Sequence, residues 1–242
     1  MNVSEPWGPV TDRGGHRGYA LLGAVGAGVG GIVAAFLLTA PIGIALGGFR
    51  NQLSLPAVVG LLFVTSAVGL VGSGAVYLQI RGVSIRSYVH GRVPGLRDLL
   101  YAAAGYVAAM GLVFLAGVVL TALQAQPETS NQAAELGLQN PELLLWLVPL
   151  SVLVIAPGEE FLFRGVVQGR LREAFPARIA IPLTAALFAL VHYFSLTGGS
   201  GARLIAIAIL FLPSLVFGIA YERTQNLVVP ILIHGSYNAT LV

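Results

Sequence analysis

The chain has no cysteine and no lysine, and charged residues make up only 10% of its 242 residues. Without cysteine, thiolate catalysis, Cys-ligated zinc and disulfide bonds are all excluded. Without lysine, Schiff-base chemistry and a lysine general base are excluded as well. A soluble domain carries about 25% charged residues, so the shortage of charge indicates a membrane protein.

Long apolar stretches run through the whole sequence, which is 56% hydrophobic. A stretch of about 20 apolar residues is long enough to cross a bilayer as a helix. Gly26 and Gly30, four residues apart in the first stretch, are candidates either for a close helix crossing or for lipid-facing positions of no consequence. The pattern predicts an all-α fold, a polytopic transmembrane bundle of about seven helices. We place these helices at residues 19–41, 56–80, 99–123, 143–163, 179–197, 204–221 and 227–242.

The arginines predict the orientation of the bundle. If the N-terminus is cytoplasmic, eleven of the thirteen arginines fall on the inner side, namely Arg13, Arg17, Arg81, Arg86, Arg92, Arg97, Arg164, Arg170, Arg172, Arg178 and Arg223. Only Arg50 and Arg203 then lie outside, and the outer loop 124–142 carries Glu128 and two further glutamates but no arginine. This split follows the positive-inside rule, so we expect a cytoplasmic N-terminus. The basic pI then reflects topology rather than nucleic-acid binding.

Two adjacent glutamates and an arginine interrupt the fourth apolar segment. Charged groups are expensive in hydrocarbon, so those retained inside a membrane segment are functional candidates. On a helix Glu160 and Arg164 face each other, and Arg164 should hold Glu160 ionised and oriented. Glu159 points about 100° away and lacks that partner. The spacing predicts a braced Glu160 and a Glu159 able to act as general base; the alternative is an ion pair at a helix end.

Two histidines and an asparagine interrupt later segments. His192 lies in the fifth segment, where a lone histidine is often only hydrogen-bonded to a neighbouring helix. His234 and Asn238 are four residues apart in the last segment, so they share a helix face. Such a pair can donate two hydrogen bonds to one oxygen, as an oxyanion hole requires, or can join two helices.

Three patterns of polar residues, in this order and on separate segments, resemble the three motifs of the CPBP (Abi) family. They are Glu159-Glu160-x-x-x-Arg164, Phe188-x-x-x-His192 and His234-x-x-x-Asn238. That family groups the type II CAAX prenyl endopeptidases with bacteriocin-processing and bacteriocin-immunity membrane proteases. The resemblance covers roughly residues 98–242, and its specificity comes from the combination of all three motifs.

The resemblance implies an intramembrane endopeptidase with a polar site enclosed by helices. Its catalytic residues would be Glu159, Glu160, Arg164, His192, His234 and Asn238. Glu159 would be the catalytic glutamate, supported by Glu160 and Arg164. His192 would help hold the attacking water, and the last two residues would stabilise the oxyanion.

Two parts of the chain are expected. Residues 1–97 comprise a polar N-terminal tail, two glycine-rich transmembrane helices and a basic cytoplasmic loop, and residues 98–242 form the catalytic helix bundle. Because the glutamates lie toward the inner end of their helix, the site of this multi-pass cell-membrane protein should face the cytoplasm or the inner leaflet. Its expected partners are the lipid bilayer and a peptide or protein substrate, prenylated or not, and no nucleic acid.

Two hydrolytic mechanisms stay open from the sequence. In the favoured one, Glu159 takes a proton from water and no metal or other cofactor is required. In the other, His192, His234 and a glutamate such as Glu159 bind zinc, which lowers the pKa of its bound water to about 7. The His-Glu-x-x-His helix of many zinc proteases is absent, so no helix presets two histidines on one face.

Two other function classes compete with proteolysis. A proton-coupled transporter could use Glu159, Glu160, His192 and His234 as a relay, although no internal repeat of the kind many transporters have is evident. A non-catalytic membrane scaffold could keep the same polar groups for packing alone. The complete set of motif residues argues against the scaffold.

Overall fold

The computed structural model describes residues 14–48, 54–125 and 131–241. Three residues named above, Arg13, Arg50 and Glu128, lie outside the described residues, as does position 242 of the last predicted helix. Within these three ranges the regular secondary structure is helical throughout, so the all-α prediction is confirmed.

Nine helices are described in these ranges. They are α1 (Gly14–Gly48), α2 (Leu55–Ile80), α3 (Ile85–Tyr88), α4 (Leu96–Ala122), α5 (Gln132–Gln139), α6 (Pro141–Arg172), α7 (Ala177–Phe194), α8 (Ser200–Thr224) and α9 (Val228–Leu241). Six of these described helices, all but α3, α5 and α9, are long and apolar enough to cross a membrane. The seventh predicted span is α9, which has only 14 residues. The prediction of about seven helices is therefore close.

Helix α6 departs from regular α-helical geometry around the two glutamates. The α-helical turn Ala156–Glu160 lies between two π-helical stretches, Ser151–Ile155 and Phe161–Gln168. Pro149 and Pro157 each remove one backbone donor from this part of the helix. A π-turn adds a residue, so it changes which side chains share a helix face, and such turns are frequent at functional sites.

Helices α1 and α2 pack closely against each other and against α6. A Cβ atom at Gly69 of α2 would lie 2.4 Å from Cα of Ala35 in α1, and one at Gly158 of α6 would lie 3.3 Å from Cα of Ala67 in α2. These contacts place α2 beside the residue that precedes Glu159. Gly26 and Gly30 are not at a close crossing of the described helices. Both are exposed, and a Cβ atom at either position would meet no described atom within 4 Å.

One end of the bundle, here called the basic end, is joined by an ionic network. The guanidinium of Arg81, after α2, donates to both carboxylate oxygens of Glu173, at 2.9 and 2.8 Å. Tyr88 and Arg170 also donate to this carboxylate. Burial alone would raise the pKa of Glu173, but the hydrogen bonds from Arg81 and Tyr88 outweigh burial and hold that pKa below its usual range. The network fixes the end of α6 to the segment that follows α2.

The turn between α8 and α9 is held at the same basic end. Its Asn226 is fully buried and accepts a hydrogen bond from the backbone N–H of Arg92 at 3.0 Å. The N–H of Leu227 donates to the carbonyl of His90 at 2.8 Å. These bonds fix the position at which α9 starts, and therefore the position of the His234 side chain on it.

Helix α5 covers the opposite end of the bundle and contacts the segment after His192. Thr197 donates to the carboxylate of Glu135 at 2.8 Å, and the N–H of Gln132 donates to the carbonyl of Ser195 at 3.2 Å. The end of α7 is therefore anchored to a helix outside the membrane-spanning set.

A methyl group at Gly69 should destabilise the protein, because it would collide with the α1 backbone. We expect Gly69→Ala to lower the stability by about 1–3 kcal/mol, the usual cost of overpacking. The matched control is Gly72→Ala on the same helix, where a Cβ atom meets no described atom within 4 Å. Thermal unfolding in detergent should give a lower midpoint for Gly69→Ala only. Equal midpoints for the two variants would contradict this packing.

Candidate active site

Polar side chains from three separate helices meet in the interior of the bundle. Glu159, Glu160 and Arg164 come from α6, His192 from the C-terminal end of α7 and His234 from α9. Ionic contacts join every one of these five side chains to at least one other. The predicted residues are thus brought together, with the exception of Asn238.

Glu160 and Arg164 form a fully buried ion pair. Both side chains have zero solvent exposure, and Arg164 donates from Nη1 to Glu160 Oε1 at 2.8 Å. The pair predicted from the four-residue spacing is therefore present. Arg164 is also bonded to α8, because its Nη2 donates to the hydroxyl of Ser214 at 2.7 Å and to the Ser214 carbonyl at 3.1 Å.

His234 is a second partner of Glu160, which sequence reasoning missed. Its Nδ1 lies 2.7 Å from Glu160 Oε1, the oxygen that also accepts from Arg164. Because an ionised carboxylate only accepts hydrogen bonds, Nδ1 carries the proton in this contact. In the neutral imidazole, Nε2 is then left with a lone pair. No spacing rule links residues 74 positions apart, so the sequence held no signal for this bond.

Glu159 occupies a different environment from its neighbour. Its side chain is 17% exposed, and its two oxygens face one histidine each. Oε2 lies 3.5 Å from Nε2 of His234, and Oε1 lies 3.9 Å from Nε2 of His192. Arg164 bonds Glu160 and not Glu159, as the spacing predicted.

The His192 ring is oriented by its own helix. Its Nδ1 lies 2.7 Å from the carbonyl oxygen of Phe188, one turn earlier in α7. A carbonyl oxygen only accepts, so Nδ1 is the donor and Nε2 of the neutral ring carries the lone pair. His192 and His234 therefore present the same ring nitrogen, in the same state, to Glu159.

Two phenylalanine rings line the polar cluster. The Arg164 guanidinium lies 4.5 Å from the ring centroid of Phe188 and 5.1 Å from that of Phe217. Phe188 also contacts both imidazoles, and Phe217 stacks on His234 at 4.9 Å with an interplanar angle of 18°. Phe217 and Ser214 belong to α8, which contains none of the site residues predicted from the sequence.

Asn238 lies one turn after His234 on α9 and is half-buried. No hydrogen bond joins it to another described residue of the site. The neutral His234 ring uses its only N–H on Glu160, so His234 could donate to an oxyanion through Nε2 only as the imidazolium. The predicted joint role of the two residues stays a prediction.

The candidate zinc ligands do not fit a zinc ion as they stand. Ligands about 2.0–2.1 Å from a tetrahedral zinc lie about 3.3–3.4 Å apart. Glu159 and His234 approach this spacing, but the contact of His192 is longer and reaches the other carboxylate oxygen. Among the described residues, no group of three or more His, Asp or Glu side chains is placed to hold a metal ion.

Comparison with known proteins identifies the segment that carries this site. Residues 141–240 match the Type II CAAX prenyl endopeptidase Rce1-like family. The predicted family resemblance is confirmed over this segment, which contains all six predicted site residues but not the whole of residues 98–242. The description of that family names a protease, and together with the apolar helices the match indicates a multi-pass membrane protein.

A curated relative is similar to about half of the chain. An uncharacterised 24.3 kDa protein of Escherichia coli is 32% identical over 125 residues, which cover 50% of this chain and 52% of that protein. The chain thus spans about half the length of the curated relative it matches. No solved structure matches the chain. Neither the transporter nor the scaffold alternative gains support from these comparisons.

Proposed function

We propose that the chain is an intramembrane endopeptidase that hydrolyses peptide bonds of membrane-associated or lipidated substrates by glutamate-activated water. One observation carries this proposal: the Nε2 atoms of His192 and His234 face the two oxygens of the Glu159 carboxylate. With both rings neutral, these nitrogens and the carboxylate oxygens, 3.9 and 3.5 Å apart, are all acceptors, so the site calls for a donor beside them. A water molecule supplies two O–H groups to such a site, and that water is the nucleophile of the proposed reaction.

In the proposed reaction, Glu159 accepts a proton from the water as its oxygen attacks the peptide carbonyl carbon. A C–O bond forms, and the carbonyl π electrons move onto its oxygen to give a tetrahedral oxyanion. The proton on Glu159 then passes to the amide nitrogen, the C–N bond breaks, and a carboxylic acid and an amine are released. The histidines orient the water, and Glu160 keeps the His234 ring in position through its Nδ1 bond.

The proposed site lies within the bilayer, and its opening toward the cytoplasm or the inner leaflet stays a prediction. Glu159 is about 20 Å along α6 from its Arg172 end at 1.5 Å per residue, which is less than the roughly 30 Å thickness of the hydrocarbon core. The basic end of the bundle would be cytoplasmic, because it carries most of the arginines. The family description names CAAX prenyl endopeptidases, so a prenylated peptide is one substrate class to test.

Removing the base should abolish cleavage. We expect Glu159→Gln to lower kcat by about 10²–10⁴-fold, the usual contribution of a general base, because the near-isosteric amide cannot accept the proton. Purified wild type and variant are incubated in detergent with prenylated and unprenylated peptide libraries, and products are identified by mass spectrometry. Glu142→Gln, an exposed glutamate on the same helix, is the matched control and should cleave normally. Normal cleavage by Glu159→Gln would remove the base from the mechanism.

Metal removal should leave the activity intact, because the proposed water is activated by a carboxylate alone. The wild-type protein is treated with a strong chelator, its residual zinc is measured by elemental analysis, and peptide cleavage is assayed. We expect at least most of the activity in the metal-free protein. Activity that disappears with the metal and returns only with added zinc would establish the zinc mechanism instead.

Single-cysteine labelling tests the orientation, since the chain has no cysteine of its own. Ser87→Cys places a thiol at the basic end and Ser200→Cys places one at the opposite end, both at exposed positions. A membrane-impermeant maleimide added to intact cells should label Ser200→Cys at once. It should label Ser87→Cys only after the cells are permeabilised. The reverse pattern would show that the basic end is extracellular.

A further inference from the structure

Helix α8 contributes two buried side chains to the edge of the active site, although neither belongs to the three motifs. Ser214 is 1% exposed and accepts a hydrogen bond from Nη2 of Arg164 at 2.7 Å. Phe217 is fully buried, three residues later on the same face. Its ring lies 5.1 Å from the Arg164 guanidinium and stacks on the His234 ring.

These contacts begin a continuous series of side-chain interactions that ends at Glu159. Ser214 binds Arg164, and the other guanidinium nitrogen of Arg164 donates to Oε1 of Glu160. The same oxygen accepts from Nδ1 of His234, whose Nε2 faces Glu159. A shift of the guanidinium therefore moves the oxygen that sets the orientation and tautomer of the His234 ring.

We propose that Ser214 and Phe217 are positioning residues, which hold the Arg164 guanidinium and the His234 imidazole in the geometry that Glu159 needs. This inference rests on the proposed function. Neither side chain reaches the Glu159 carboxylate in any described contact, so both act through their neighbours. Ser214 fixes one end of the guanidinium, and Phe217 supports the guanidinium and the imidazole together.

Helices α6 and α8 are also joined by side-chain contacts further from the site, and these contacts serve as an internal comparison. Nε2 of Gln168 on α6 donates to the carbonyl of Gly218 on α8 at 3.1 Å, and Nε of Arg172 donates to Glu222 at 3.0 Å. The bonds of Arg164, Gln168 and Arg172 thus reach α8 at the same sequence separation of 50 residues. The Gln168 contact joins the same helices without touching any site residue.

Kinetics of α8 variants test the proposal. We expect Ser214→Ala to lower kcat about tenfold at unchanged KM, because the guanidinium loses a hydroxyl acceptor while the backbone carbonyl of Ser214 still holds it. Ser214→Thr keeps the hydroxyl and should restore most of kcat. Phe217→Leu should lower kcat by a similar factor, and Phe217→Tyr, which keeps the ring, should restore it.

Gln168→Leu is the control for a purely structural effect. It removes a buried contact between the same helices, so thermal stability should fall while kcat per folded protein stays at the wild-type value. If Gln168→Leu lowers kcat as much as Ser214→Ala at equal folded fraction, the two α8 residues merely stabilise the fold and the proposal is overturned. Full kcat in both Ser214→Ala and Phe217→Leu would overturn it as well.

A spectroscopic readout separates this proposal from the proposed function. The chain has four histidines, so ring nitrogen signals of labelled protein in detergent can be assigned with single His→Gln variants. Ser214→Ala and Phe217→Leu should shift the His234 ring signals. Gln168→Leu should leave these signals at their wild-type positions. If Glu159→Gln still cleaves but these shifts occur, only the proposed function fails. Unchanged His234 signals in both α8 variants would overturn the positioning role, whatever the activity.

Discussion

The buried ion pair between Arg164 and Glu160 is the constraint on which the rest of the site depends. Two fully buried charges are tolerated only with good geometry and further hydrogen bonds, and removing one partner of such a pair costs about 3–5 kcal/mol. The protein supplies those further bonds from two other helices. Ser214 on α8 accepts from Arg164, and His234 on α9 donates to Glu160. The ion pair therefore determines how α6, α8 and α9 meet.

The local geometry of α6 and the packing around it follow from the same constraint. The helix is π-helical on both sides of the turn that carries the glutamates, and the second π-helical stretch contains Arg164. Gly158 allows α2 to approach this turn, and the aromatic rings of Phe188 and Phe217 close the sides of the guanidinium. Apolar contacts of this kind exclude water from the charges and strengthen their interaction.

The parts of the site that sequence predicted are those set by local spacing. The contact of Glu160 with Arg164 and the all-helical fold follow from periodicity and hydropathy along one helix. The bond of His234 to Glu160 and the contribution of α8 could not be predicted, because they depend on how distant helices pack. Ser214 is a polar residue in an apolar span. A serine at such a position can donate its hydroxyl to a carbonyl of its own helix as readily as it can belong to a functional site. The π-turns were missed because hydropathy assumes a regular helix.

The two adjacent glutamates differ because of what faces them rather than because of their place in the sequence. Glu160 receives two hydrogen bonds on one oxygen, from an arginine that is always charged and from a histidine nitrogen that carries a proton. Among the described side chains, Glu159 faces the Nε2 atoms of two imidazoles, and both rings are held through Nδ1. His234 contacts both carboxylates, so the bond that fixes Glu160 also directs Nε2 of His234 at Glu159. The His234 ring thereby links the buried ion pair to the orientation of the Glu159 carboxylate.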